Sequence, residues 1–126
     1  MAVSTETLSE FLLARIAEDE EVARDTYAAS PWHAEGYYVM NHGVITETDE
    51  ASTTAHMARW HPARVLAECE AKRRIVEHHD DDDDAGRCTA CEPMMWARPT
   101  PFPCPTLRLL ALPYADHPDY RREWRP

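Results

Sequence analysis

The sequence predicts an α+β chain that is predominantly helical. It should have a long N-terminal helix, a small β-hairpin, a second long helix, a Cys-rich loop and short C-terminal helices. Three observations carry the prediction. Apolar residues recur at helical spacing through residues 5–29 and 62–79. Two short β-favouring runs flank Asn41-His42-Gly43. Three of the four cysteines gather between residues 88 and 104, the last directly ahead of a proline that can open a helix.

Taken in order, Ser4 can cap a helix from Thr5 to Ala29, stopped by Ser-Pro-Trp. Wound at 3.6 residues per turn, Leu8, Phe11, Leu12, Ile16, Val22, Ala23 and Tyr27 make one stripe. Arg15 and Asp19 lie inside it, four apart, as a helix-surface ion pair or as a polar pair facing a partner. Glu18–Glu21 read as a solvated face. Tyr37–Met40 and Val44–Thr46 read as the strands of the hairpin, which needs helices against it because two strands alone are marginal. Residues 48–60 read as a modest helix that breaks at Trp60-His61-Pro62. From Pro62 to His79, Val65, Leu66, Cys69 and Val76 share a face, and Cys69 reads as a small buried hydrophobe. Asp80–Asp84 must be a solvated loop, since five like charges cannot enter a core. A hard-cation site there would need consecutive residues to converge on one ion. Pro105–Leu112 reads as a short helix ended by Pro113. A last turn or two from Pro118 brings Tyr120 near Trp124, docking the tail.

Composition bounds what this chain can be. Its 126 residues are most simply one domain, with a helix–hairpin–helix body over 1–79, an acidic loop over 80–87 and the Cys-rich and C-terminal part over 88–126. Hydrophobic residues make up 44% and four tryptophans are present, so a core is expected. No apolar run approaches the ~20 residues of a membrane helix, and the N-terminus has no signal-peptide pattern, so a cytoplasmic protein is expected. In that setting cysteines are thiols or metal ligands before disulfides. The net charge is −10, of which residues 1–58 contribute −9, so phosphate neutralisation finds no support from the overall field. Only the strip Arg59, Arg64, Lys72, Arg73 and Arg74 suits nucleic acid.

Cys88 and Cys91 form C-x2-C, a spacing that lets one tight turn aim two sulfurs at a point, and Cys104 follows after twelve residues. At the start of a helix Cys104 would be favoured as a thiolate, the state zinc requires. His79 is the first choice for a fourth ligand, His78 the second and His117 the third. Three cysteines and a histidine make a closed shell, hence a structural Zn2+. Two other readings stand beside it: plain core thiols, and a thioredoxin-type redox pair, which lacks its βαβ surroundings. His33, His42, His56 and His61 are scattered, and no catalytic or nucleotide fingerprint occurs.

The segments FLLARIAEDEEVAR, HMARWHPARVLAECEAKRRIVEHH and PCPTLRLLALPYADHPDYRREWRP together resemble a family of small uncharacterised actinobacterial and actinophage proteins, a domain-of-unknown-function family. Its members typically carry Asp where His61 stands. The resemblance implies an architecture and a bacterial or phage cytosol, and it assigns no catalytic residue. The expectation is a zinc-stabilised interaction module with an acidic surface and an unidentified protein partner, with no membrane and no assigned catalytic residue. The alternatives are a nucleic-acid-binding zinc domain on helix 59–74 and a metal-dependent hydrolase.

Overall fold

A computed structural model describes residues 6–26, 30–80, 88–91 and 103–126. The expected Ser4 cap, Tyr27, the helix end at Ala29, Asp81–Asp84 and most of the cysteine loop lie outside these residues. The fold is α+β. Its elements are α1 (Leu8–Arg24), β1 (His33–Glu35), β2 (Tyr38–Met40), β3 (Val44–Glu47), α2 (Ala51–Arg59), α3 (Pro62–His79), α4 (Pro105–Ala111) and two 3-10 turns, Leu112–Tyr114 and Arg122–Trp124. Among the described residues no helix is long and apolar enough to cross a membrane. The chain forms two compact units, residues 1–16 with 71–126, and residues 17–70.

In the first unit, α1 begins later than residues 4–5. Thr7 is its cap: the Glu10 N–H donates to Thr7 Oγ1 at 3.1 Å, and the Thr7 hydroxyl donates to Glu10 Oε1 at 3.1 Å. Thr-x-x-Glu supplies an orphan N–H with an acceptor and fixes the hydroxyl that accepts it. Leu8, Phe11, Leu12 and Ile16 are then buried, together with Val76, Leu107, Ala111 and Trp124. Phe11 is fully enclosed, with ring centroids of Trp124, His117, Tyr120 and Tyr114 at 5.1, 5.5, 6.0 and 6.4 Å. The tail does dock, and Tyr120 meets Trp124 at 5.7 Å. The helix expected from Pro118 is not formed, however. Residues there are turns, and the only helical geometry near the end is the 3-10 turn at Arg122–Trp124. Pro113 does not stop the chain's winding but sits within the 3-10 turn that continues α4, because Pro tolerates the first turn of a new helix.

In the second unit the expected hairpin is a three-stranded antiparallel sheet in the order β1-β2-β3. The added strand pairs Glu35 with Tyr38 across Gly36-Tyr37. Gly36 has φ +57° and, among the described residues, no non-glycine residue has positive φ, which matches a two-residue turn of the II′ kind with Gly first. Helix α2 packs on β1 and β2, with Val39, Thr54 and Ala58 buried. Val22 departs from the predicted stripe and is 73% exposed. In this half of α1 the buried positions are Glu20 and Ala23, so the apolar face has drifted round the helix. Glu20 is held by Arg24 at 3.3 Å. Cys69 is buried, as its place in the α3 stripe predicts.

Candidate metal centre

Three local devices place the four candidate ligands of the centre. His79 is the last residue of α3. Cys88 and Cys91 sit at the two ends of a tight turn, the geometry that two intervening residues allow. Cys104 caps α4 with extended backbone (φ −73°, ψ 164°), followed by Pro105 at the first helical position. Arg108 fixes the approach to Cys104. Its Nε donates to the Pro103 carbonyl at 2.9 Å and its Nη1 to the Glu123 carbonyl at 2.6 Å, tying the entry of α4 to the C-terminal tail.

These devices bring all four side chains together. The ligand atoms of His79, Cys88, Cys91 and Cys104 lie within 4.8 Å of one another, a group that could hold a metal ion. His79 Nδ1 is 3.3 Å from Cys91 Sγ, 3.5 Å from Cys104 Sγ and 3.6 Å from Cys88 Sγ. Zinc bonds of about 2.3 Å to sulfur and about 2.0 Å to nitrogen, opened to a tetrahedral angle, separate N from S by about 3.5 Å. The thiols are not paired as disulfides. Cys88 and Cys104 are buried, while Cys91 and His79 are half-buried.

The electrostatics fit a site that needs a cation. Burial, and then the Cys104 thiol beside it, push the Cys91 thiol up from 9.0 to about 11, although the Thr106 hydroxyl 3.9 Å away works in the opposite direction. Packed thiols cannot all ionise without a positive charge among them, and a divalent metal reverses that preference outright. Burial lowers the pKa of His79 below 6.5, with a smaller push from His78, whose ring lies 5.3 Å away. An imidazole that stays neutral near neutral pH keeps its lone pair available to a metal.

The other candidates are placed elsewhere. His78 is not in the cluster. His117 lies against Arg15, whose Nη1 is 2.7 Å from its Nε2 and 3.1 Å from its Nδ1, and the Asp119 N–H donates to Nδ1 at 3.0 Å. Among the described residues no second group of His, Cys, Asp or Glu ligand atoms converges, so His33, His56 and His61 do not meet carboxylates in a hydrolytic arrangement. The His33 ring meets its strand neighbour Glu35 at 3.2 Å on the surface. In the basic strip, Arg64 pairs with Glu68 at 3.4 Å and lies 4.1 Å from the Trp60 ring centroid. Sequence reasoning missed two supporting residues, Thr106 and Arg108. The spacing of ligands carries no sign of either, because both act across a fold that brings residues 91, 103 and 123 together.

The fold and cluster define a small α+β protein with a Cys3His centre able to hold a metal. The sequence model of a family of unknown function (DUF6221) matches residues 5–126, and the chain belongs to that family. No curated protein and no solved structure matches it.

Proposed function

We propose that this protein is a zinc-stapled interaction module. Cys88, Cys91, Cys104 and His79 hold one structural Zn2+, and the acidic residues of the 17–70 unit meet a basic partner protein. The observation that carries the metal reading is the set of three distances from His79 Nδ1 to the sulfurs, 3.3, 3.5 and 3.6 Å, in a group whose four ligand atoms all lie within 4.8 Å of one another. Four protein ligands close the shell, so the ion has no position for substrate and its role is to hold structure. The segment it ties needs that help. Helix α4 has seven residues, too few to persist by helix propensity alone. The partner reading is supported by charge: residues 17–70 contain eleven acids and three bases. Complementary fields of this kind speed encounter and select partners.

Elemental analysis of protein purified without chelator tests the metal. One zinc per chain is expected, falling to near zero in Cys91→Ser. Protein that is folded, metal-free and unchanged by that substitution contradicts the reading. For the partner, an arginine-rich peptide is expected to bind with an affinity that falls as salt rises, and duplex DNA at physiological salt is expected not to bind. The opposite pattern would favour nucleic acid on the Arg59–Arg74 strip.

A further inference from the structure

The three cysteines of the centre are not equally sheltered. Cys88 and Cys104 are enclosed, at 1% and 0% exposure, whereas Cys91 is half-buried at the end of the turn that starts at Cys88. All three are thiols rather than disulfides, and their sulfurs belong to the group whose ligand atoms lie within 4.8 Å of one another. A cysteine that solvent reaches, held as a thiolate with a second thiolate beside it, has the makeup of a site that two-electron oxidants attack. The two neighbours of Cys91 are held differently. Cys88 shares its turn, so these two sulfurs can close on each other through that turn alone. Cys104 is fixed at the entry of α4, which Arg108 anchors through the Pro103 and Glu123 carbonyls.

We propose that the metal centre is also a redox site, at which a hydroperoxide oxidises Cys91, Cys88 closes a disulfide with it, and the zinc is released. The inference rests on the zinc reading above and adds the regulation of that site. Zinc holds its cysteines as thiolates, and the thiolate is the nucleophile. The Cys91 sulfur attacks one oxygen of the peroxide: an S–O bond forms, the O–O bond breaks, and the departing hydroxide takes a proton to become water. Sulfur has lost two electrons and the peroxide has gained them, leaving a sulfenic acid. The Cys88 thiolate then attacks that sulfur. The S–S bond forms, the S–O bond breaks, and the second hydroxide leaves as water with another proton. Two thiolates, one hydrogen peroxide and two protons thus give one disulfide and two waters. Two sulfurs on one tetrahedral zinc are about 3.8 Å apart, so the bond requires only a small movement. His79 and Cys104 are then the two remaining ligands, too few to close a shell around zinc. The tie between the end of α3 and the start of α4 is lost, and a dithiol reductant restores it.

The test treats the zinc-loaded full chain with one equivalent of hydrogen peroxide in the presence of a chromophoric zinc indicator. Loss of one zinc and two thiols per chain is expected, with both regained after a dithiol and fresh zinc. Peptide mapping after cleavage beside Trp96, which separates Cys104 from the C-x2-C pair, is expected to show Cys88 joined to Cys91. Cys104, and Cys69 buried in the 17–70 unit, are expected to remain open to alkylation once the chain is denatured. With dimedone present during oxidation, its adduct is expected on Cys91. Cys69→Ser, outside the centre, is expected to leave zinc release unchanged. Zinc retained after the treatment, zinc lost without a disulfide, or a disulfide that includes Cys104 overturns the proposal while the zinc reading stands. The same holds if dimedone marks Cys88 instead. If the purified chain holds no zinc, both fall.

Discussion

Cys91 Sγ is the sulfur closest to His79 Nδ1, at 3.3 Å, and the one whose protonation the surroundings control most visibly. Its thiol, raised to about 11, keeps its proton throughout the neutral range, so an incoming zinc must displace it. His79 works differently. Its pKa lies below 6.5, so near neutrality it is already neutral and releases nothing. Zinc affinity is therefore predicted to climb with pH from neutrality to at least 9.0, by about tenfold per unit for the Cys91 proton alone. As the pH falls through the lowered pKa of His79, proton competition for the imidazole should weaken binding further. Competition against a chromophoric chelator measures this, and a pH-independent affinity over that range would refute the assigned ligand set. At Phe11, four aromatic rings surround a side chain with no exposure. Phe11→Ala should cost about 3–5 kcal/mol of unfolding free energy, read from denaturant midpoints.

At the scale of elements, the cap of α1 separates local from tertiary stabilisation. Thr7→Ala removes the acceptor for the Glu10 N–H and should destabilise by about 1 kcal/mol, lowering the melting temperature by roughly 4 °C. No change would mean that Thr7 is not the cap. The Thr-x-x-Glu spacing of Thr7 and Glu10 is present in the sequence, but it lies inside the helix expected from Thr5, and the structure is what places the cap there. Other elements were legible for clear physical reasons. Pro62 can only open a helix and the acidic run cannot continue one, so α3 falls at Pro62–His79 as expected. Strand β1 was not legible from apolar alternation, because His33, Ala34 and Glu35 are all exposed and nothing buried marks them. Its signal was Gly36 opening a two-residue turn. Val22 failed for another reason: a helical stripe gives period but not the point at which the packed face drifts, and Glu20 takes the buried place beside Ala23.

For the whole molecule, the convergence of His79, Cys88, Cys91 and Cys104 was the feature best read from spacing. C-x2-C and a proline-capped cysteine specify sulfurs that can converge, and the choice of His79 over His78 followed from its position nearer the loop. The cluster lies within one compact unit, residues 1–16 with 71–126. A structural zinc is worth an apparent ~10–16 kcal/mol in small zinc-finger peptides, comparable with the ~5–15 kcal/mol that keeps a whole domain folded. Chelation should thus raise amide exchange across α4 and the last turn of α3 much more than in β2, as hydrogen-exchange mass spectrometry would show. Uniform protection before and after chelation would mean that the ion holds nothing. The most direct test of the central claim is X-ray absorption at the zinc edge on protein purified without chelator. Three sulfur neighbours at about 2.3 Å and one nitrogen at about 2.0 Å are predicted. An absent edge, or a shell made of oxygen and nitrogen, would contradict the account.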